Sequence, residues 1–555
     1  MDNRTETNQA IADKGKQLPA ARKVSTFVFW SLLFGLAYTQ PPLFYSNQNQ
    51  YFLHGLAQGG LGFLQADWLA NTADPTPMFS GLAAFTYRYL PESTFYLYYI
   101  LLLGIYLHAL AGIFDHLSGG RATPLSRLGF ITLIIALHSA LLRWTSAQLL
   151  GVDYPWYFQA GVANQYILGA GLQPSVFGVL LVLSISTFLR GRSFLAATWS
   201  SLGAVMHSTY LLSAAILTFA YLYLLWRDKR RRDALLLGMW ALLLVSPVVV
   251  YNLRTFGPSS PETFAEAQHL LAHFRIPHHA QVNRWLDGIA WAQIGSVLAA
   301  MVLVRGSRLF VILFVMFVLS LALTIVQVAT RNDTLALLFP WRSSAILVPI
   351  ATAIFLTRII QLLSARFPPS SLRLEHVLQA ACGLMLAIAA AGGAYIAYFG
   401  LGYRINTEEQ YLLDYIRANR AEGDVYLLPV EVPDLNSHNK GAASLNFTPP
   451  PRRNTQKQNI SVDLQRFRLF TGAPIYIDFK SIPYKDVEVL QWHQRVLWNH
   501  QVSKQRDWND EKIKDALKCR DITHVVAAAD RDVRCNVLRL VYADRYYRLY
   551  RVQLP

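Results

Sequence analysis

Residues 193–226 read SFLAATWSSLGAVMHSTYLLSAAILTFAYLYLLW, and the basic cluster RDKRRR follows at residues 227–232. A helix needs about 20 apolar residues to cross a membrane, because unpaired backbone groups cannot be hydrated in the hydrocarbon layer. The run is too long for one simple span. We therefore expect two shorter helices that meet near Met206, His207 and Ser208.

Long apolar runs of this kind recur from residue 24 to residue 402. The other candidate spans are 24–43, 94–114, 128–150, 172–190, 233–252, 288–304, 308–329, 339–362 and 376–400. Only 15% of the 555 residues are charged, against about 25% in a typical soluble domain, and the mean hydropathy is +0.26. The sequence predicts an α-helical polytopic membrane protein with about 10–11 transmembrane helices.

The lysine and arginine residues in short loops predict an orientation. When residues 193–226 are split into two helices, the basic loops all fall on one side, which we assign to the cytoplasm. Residues 1–23 then form a cytoplasmic N-terminal tail, and residues 24–402 form the multi-pass domain. Three long loops emerge on the opposite side, where any chemistry is expected. They are residues 44–93, 151–171 and 253–287.

The C-terminal segment, residues 403–555, has the composition of a soluble domain and emerges on the same outer side. Helical patterns at 407–420, 485–497 and 509–518 alternate with strand patterns at 424–430, 474–479, 522–528, 537–542 and 546–552. This alternation predicts a small α/β domain. Residues 433–458 are expected to form a loop. Cys519 and Cys535 could pair if the domain lies outside the cytoplasm.

The net charge of +16 could indicate a nucleic acid partner. Much of this charge falls in short loops between apolar runs, so the expected partner is the membrane lipid bilayer and not nucleic acid. Five charged residues flank the tail strands and are expected to be mostly solvated. These are Arg466, Arg468, Asp478, Lys480 and Lys485.

Two carboxylates of the first long loop, Asp67 and Asp74, are candidates for chemistry. A carboxylate held at the interface can act as a general base, since partial desolvation raises its pKa. It could equally ligate a divalent metal that neutralises a phosphate leaving group. The alternative is that both residues are helix caps or ordinary loop carboxylates.

Two further candidates are Asp153 and His207. Asp153 lies in the aromatic segment DYPWYF, residues 153–158. Its aromatic neighbours form either an interfacial belt or a surface that stacks on a sugar ring or a prenyl chain. His207 is an ionisable residue inside an apolar run, which is costly and therefore indicates a site, unless it only bonds to a neighbouring helix.

The third long loop contains HFRIPHH, residues 273–279. Arg275 suits bidentate binding of phosphate. His278 and His279 could ligate a metal, but adjacent histidines point in different directions on regular structure. Contact with phosphate or pyrophosphate is therefore favoured over a metal, an ordinary solvated loop is the remaining alternative, and no metal site is predicted. Arg342 begins a span from the outer side and either meets a lipid phosphate or extends to the headgroups. Arg143, near the outer end of span 128–150, is expected to do the latter.

The overall layout resembles the GT-C superfamily of polytopic glycosyltransferases, which use polyprenyl-phosphate-linked sugars. The resemblance implies a catalytic base in the first outer loop, and Asp67 is the residue that matches by position. The segments SNQNQYFLHG (46–55), ADWLANTADPTPMF (66–79) and FRIPHH (274–279) are also similar to a family of bacterial multi-pass membrane proteins. Both resemblances imply the bacterial inner membrane.

The function expected from this layout is transfer of a sugar from a polyprenyl-phosphate-linked donor to an acceptor on the outer face. Asp67 would be the base, and Asp74, Asp153, His207, Arg275, His278, His279 and Arg342 would bind substrate. The need for a divalent metal is left open. Two other functions compete, namely transport or flipping of a lipid-linked or small solute, and non-catalytic assembly or sensing in the cell envelope.

Overall fold

The computed structural model describes residues 20–368, 371–403, 405–433, 460–505, 507–531 and 533–553. Within these residues, six helices are long and apolar enough to cross a membrane, or seven if a bent pair counts as one span. The six are Thr94–Ser118, Ser208–Arg227, Arg231–Thr255, Arg308–Thr330, Asp333–Arg366 and Leu372–Phe399. Shorter apolar helices at Pro174–Leu189, Ser193–Met206 and Gly288–Leu303 pack among them, together with Ala20–Tyr38. The chain is thus a polytopic helical membrane protein, as the sequence predicts.

The long apolar run is divided at His207, where the sequence predicts a break. The first helix ends at Met206, and His207 adopts an extended conformation (φ −149°, ψ 104°). A 3-10 turn, Ser208–Tyr210, then leads into the helix Leu211–Arg227. The break places the side chains of His207 and Tyr210 at the end of the helix bundle where the long loops gather.

The expected span 128–150 is bent by 49° between Pro124–His138 and Ala140–Leu150. Ser139 joins the two helices in an extended conformation, and its hydroxyl accepts the Leu142 N–H. An N-cap of this kind allows a new helix to begin in a new direction. Its hydroxyl accepts a backbone N–H of the first turn, which has no carbonyl partner within the new helix. The second helix therefore runs towards the loops instead of continuing the first.

The C-terminal domain contains a four-stranded sheet in the order β1-β2-β4-β3. Its strands are β1 (Tyr426–Leu427), β2 (His524–Ala528), β3 (Leu538–Ala543) and β4 (Tyr547–Val552). β1 is parallel to β2, and the other pairs are antiparallel. The helices are Gln410–Asn419, Phe467–Thr471, Asp486–Lys504 and Glu511–Cys519. This arrangement confirms the predicted α/β character.

Two details of this domain differ from the expectation. The predicted strand 474–479 makes only one bridge, between Tyr426 and Ile475, because the chain turns away to reach the membrane domain. The cysteines Cys382, Cys519 and Cys535 are all free thiols, so the pairing considered for the last two is not formed. The expected loop 433–458 lies almost wholly outside the described residues.

All three long loops and the C-terminal domain meet at one end of the helix bundle. In the first loop, the Phe63 N–H donates to the Gly472 carbonyl over 2.8 Å. In the third loop, the Ser259 N–H and hydroxyl both donate to Asp486, over 2.7 and 2.8 Å. The second loop joins the third through contacts described below. The membrane-embedded helices therefore carry a polar cap built from distant parts of the sequence.

Gly62 makes the closest backbone approach between the first loop and the C-terminal domain. It has a left-handed conformation (φ +54°), and a Cβ atom at this position would lie 2.3 Å from the Gly472 carbonyl oxygen. We expect Gly62→Ala to destabilise the protein by more than the roughly 1–3 kcal/mol of backbone strain alone. Gly60→Ala is the matched control, since Gly60 is also left-handed (φ +91°) but has open space around it. Thermal unfolding in detergent, followed by tryptophan fluorescence, should show the larger loss for Gly62→Ala, and equal losses would contradict the close-approach argument.

Candidate functional site

Arg275 is buried where the third loop meets the C-terminal domain. It ends the π-helical turn Leu270–Arg275, a kind of distortion often found at functional sites. Its guanidinium donates to the Lys480 carbonyl over 2.5 Å and lies 5.2 Å from the centre of the Phe479 ring. The Nε–H is buried and has no hydrogen-bond partner within the described part of the chain. A buried arginine with an unused donor is costly and is a natural place for an anion.

Lys480 places a second cation beside Arg275. Burial lowers the pKa of its ammonium to about 7, and repulsion by Arg275 acts in the same direction, against the attraction of Asp478. Asp478 itself is paired with Arg468. None of the ion pairs among the described residues involves Lys480. The prediction that Lys480 and Arg468 are solvated is wrong, because the domain surface that carries them faces the membrane domain instead of water.

Arg342 supplies a third cation, from the membrane side. One of its Nη atoms donates to Gln165 Oε1 over 2.6 Å, and the guanidinium lies 4.8 Å from the centre of the Tyr210 ring. Its Nε is buried and unpartnered among the residues described. The aromatic face offsets only part of the charge. Like Arg275, this residue has donor capacity that no described protein group uses.

Two partly buried tyrosines, Tyr51 and Tyr484, lie between the arginines. Burial raises the pKa of Tyr484, and both Arg275 and Arg342 oppose that shift, which places the hydroxyl within electrostatic reach of both cations. Tyr51 is likewise close to Arg342 and to Tyr484. Gln50 of the first loop donates to the Tyr484 hydroxyl over 3.0 Å. The first loop therefore contributes neutral hydroxyl groups to the centre of a cationic cluster.

Three histidines complete this cluster, which we call the cationic junction (Arg275, Lys480 and Arg342, with His207, His278 and His279). Burial lowers the pKa of His279 to about 4 and lowers that of His278 well below its usual range. His279 is therefore neutral, and its Nδ1–H donates to the Ala163 carbonyl over 2.7 Å. His207 makes edge contacts with the Tyr51 and Tyr210 rings, at 5.8 and 5.6 Å.

The structure thus brings together five of the residues that the sequence singled out, namely His207, Arg275, His278, His279 and Arg342. A small cavity at Arg342 is bordered by Gln165, His279, Gln327 and Trp341. Its volume of ≈ 10 Å³ is about that needed for one water molecule.

Asp67, the expected base, is fully buried and has a full set of donors. Its Oδ1 accepts the Leu69 N–H over 2.9 Å and the Ala70 N–H over 3.3 Å. Its Oδ2 accepts Arg468 Nε over 2.8 Å and the Ile475 N–H over 3.0 Å. This arrangement caps a short turn and ties the first loop to the C-terminal domain. Both oxygens are thus occupied by donors of the protein, and neither is directed at a site for an acceptor hydroxyl. The expectation that Asp67 is the base remains a prediction.

Asp74 is placed differently. Its Oδ1 accepts the Thr76 N–H over 2.8 Å, whereas its Oδ2 is buried and has no partner among the described residues. The neighbouring Pro75 carbonyl accepts the Ser208 hydroxyl over 3.4 Å, next to His207. Asp74 is thus the carboxylate of the first loop that retains a free oxygen near the junction.

Asp153 does not lie in the cationic junction. It forms a buried ion pair with Arg143, with an Nη2–Oδ2 distance of 2.8 Å. The Arg143 guanidinium also lies 4.7 Å from the centre of the Trp156 ring. The prediction that Arg143 extends to the lipid headgroups is wrong, because the bend at Ser139 turns it inwards onto Asp153. This pair holds the second loop against the bundle.

Comparisons with known proteins identify no function for the chain. Residues 452–498 match a family model described as a domain of unknown function, DUF6798. No curated protein sequence matches the chain. Among solved structures, the chain is similar to the crystal structure of ArnT from Cupriavidus metallidurans bound to undecaprenyl phosphate. The identity is 10% and the TM-score 0.45, with 96% of this chain and 98% of that chain covered.

Proposed function

We propose that the protein is a membrane glycosyltransferase of the GT-C type, and that the cationic junction binds the phosphate of a polyprenyl-phosphate-linked sugar donor. One observation carries the proposal: Arg275, Lys480 and Arg342 lie close together, and none of them forms an ion pair with a carboxylate among the described residues. Buried charges in proteins are normally paired. An anionic phosphate supplied by a lipid, whose chain stays in the bilayer, would pair with all three.

The charges support this assignment. Asp67 and Asp478 both form ion pairs with Arg468. Neither carboxylate therefore neutralises Arg275 or Lys480 fully. Burial lowers the pKa of His278 and His279 and raises the pKa of Tyr484, so these three groups add no charge near neutral pH. Cations fixed in this way would stabilise the charge that develops on a departing phosphate. They would do so without reorganising, because the loops and the domain already hold them in place.

We propose Asp74 as the group that takes the proton from the acceptor hydroxyl, since its Oδ2 accepts no hydrogen bond from any residue that the structure describes. Asp67 would then act on catalysis only through the position of the first loop. The junction would face the outer side of a bacterial inner membrane, with the N-terminal residues in the cytoplasm. The aromatic rings around the arginines would contact the sugar or the first prenyl units.

The test uses the full chain in lipid nanodiscs. Long-chain polyprenyl phosphate should bind, whereas the uncharged polyprenol of equal length should not. A lipid extract that contains sugar-linked polyprenyl phosphate should yield free polyprenyl phosphate when incubated with the protein and an acceptor. Asp74→Asn should stop this release and leave binding intact. Passage of intact donor across sealed vesicles without release would overturn the enzyme proposal in favour of a transporter.

Lys480 predicts how donor binding depends on pH. Its charged form attracts the phosphate, and that form is lost as pH rises through about 7. The second ionisation of a phosphate monoester has a pKa near 6 and makes the ligand more negative as pH rises, so a decline in affinity above pH 7 belongs to the protein. We expect the affinity for phosphate to fall by up to about tenfold per pH unit above pH 7. The decline ends when the pH reaches the pKa of Lys480 in the complex, which the bound phosphate raises.

The variant Lys480→Met should bind more weakly at pH 6 and lose the decline above pH 7. Lys518→Met is the matched control, because Lys518 is exposed on the far helix of the C-terminal domain. Binding is measured by calorimetry with detergent-solubilised polyprenyl phosphate from pH 6 to pH 9. The same decline in wild type and in Lys480→Met would show that another group titrates.

A further inference from the structure

A separate cluster of possible metal ligands lies on the surface next to the cationic junction. The Asp333 carboxylate contacts two imidazoles at once, with His269 Nδ1 at 3.2 Å from Oδ2 and His273 Nε2 at 2.9 Å from Oδ1. The two histidine rings stack with their centres 4.2 Å apart. One ligand atom from each residue lies within 4.8 Å of the other two.

The way the chain folds locally makes this cluster a stable arrangement. His269 ends the helix Pro261–His269, and the π-helical turn that follows carries His273 on the same face. Asp333 opens the short helix Asp333–Leu337, whose N-cap Asn332 fixes its first turn. The three side chains come from two segments that are packed against each other, so their approach does not depend on long flexible side chains.

We propose that His269, His273 and Asp333 bind a divalent transition metal ion, with Zn²⁺ the best match. Two imidazoles and one carboxylate are a common set of three protein ligands for zinc, and water fills the fourth position. The rings are 63% and 43% exposed, so an ion can enter and the fourth position can be hydrated. A ligand set of imidazole and carboxylate groups, with no thiolate, disfavours soft ions such as Cu⁺.

The location gives the metal a structural consequence. His273 precedes Arg275 by two residues, and Asp333 belongs to the segment that leads through Phe339 to Arg342. A bound ion would join the third loop to the outer end of that span. It would thereby fix the separation of the two arginines of the cationic junction. The inference concerns metal binding, which is measured without donor or acceptor and does not depend on the proposed transfer reaction.

The test is a Zn²⁺ titration of the chelator-treated full chain in detergent micelles, by calorimetry, with the metal content checked by mass spectrometry. We expect one tightly bound Zn²⁺ per chain. His273→Ala and Asp333→Asn should each weaken it by at least about 100-fold, since loss of a direct ligand costs more than loss of a supporting group. Replacement by Co²⁺ should give the visible absorption of a four-coordinate site in the wild type and not in the variants.

His376→Ala is the control, because His376 is a single exposed histidine on the helix Leu372–Phe399. It should leave the affinity unchanged. Gel filtration and thermal unfolding confirm that each variant is folded. The proposal is overturned if the wild type binds no Zn²⁺ beyond the level of the Asp333→Asn variant, or if binding survives in both His273→Ala and Asp333→Asn.

Discussion

The chain with both Arg275→Gln and Arg342→Gln will bind polyprenyl phosphate at least about 100-fold more weakly than the natural chain. Removing one partner of a buried, hydrogen-bonded charge pair typically costs about 2–5 kcal/mol of binding free energy, and here two charged donors are removed from the same site. Glutamine keeps some of the volume and one donor group, so the loss reports mainly on charge. Calorimetry in nanodiscs measures the affinity, and release of free polyprenyl phosphate should fall in parallel.

The same double variant should be at least as thermostable as the natural chain when no lipid is bound. Arg275 and Arg342 each have a buried Nε–H without a described partner, and unpaired buried cations destabilise the folded state. Arg254→Gln is the control for binding, since Arg254 is an exposed arginine at the end of the helix Arg231–Thr255. A large loss of thermal stability in the double variant would mean that the arginines serve the fold and not a ligand.

The sequence predicts the residues of the cationic junction better than it predicts their partners. Unusual polar groups in apolar or loop segments, such as His207 and Arg275, stand out because burial of such groups is costly. Lys480 does not stand out, because a lysine beside a strand is ordinary in a soluble domain. Lys480 is placed beside Arg275 only because the domain contacts the third loop. The two hydrogen-bonded residues are 205 positions apart in the sequence.

In the fold, too, features set by local sequence can be predicted, whereas features set by tertiary contacts cannot. The break at His207 follows from the length of one apolar run, so periodicity and span length suffice to predict it. The bend at Ser139 depends on a capping hydroxyl, and the Arg143–Asp153 pair depends on that bend. Residues 474–479 have the composition of a strand, but the Ile475 N–H is bonded to Asp67 of the first loop, which competes with sheet pairing. Tertiary contacts override local preference at such positions.

Arg468→Met should destabilise the protein by about 3–5 kcal/mol, the usual cost of removing one partner from a buried ion pair. Arg468 is 3% exposed and is bonded to both Asp67 and Asp478. Its loss would leave the Asp67 charge in a fully buried position with only backbone donors. Because Asp67 belongs to the first loop and Arg468 to the C-terminal domain, the destabilisation should appear as separation of the two parts. Faster proteolysis of the C-terminal domain and a lower thermal transition both measure it.

Comparison with Asp67→Asn decides between the two roles considered for Asp67. If Asp67 ties the loop to the domain, Asp67→Asn lowers thermal stability, and the double variant Asp67→Asn/Arg468→Gln is less destabilised than the sum of its single variants, because the two losses share one interaction. Arg539→Met, at an exposed site on β3, should change nothing. If Asp67 is instead the base, Asp67→Asn keeps full thermal stability and donor binding but loses transfer. That result would identify Asp67, and not Asp74, as the base. A structural role requires both Asp67 oxygens to accept hydrogen bonds from the protein, whereas a base needs one oxygen available to accept a proton.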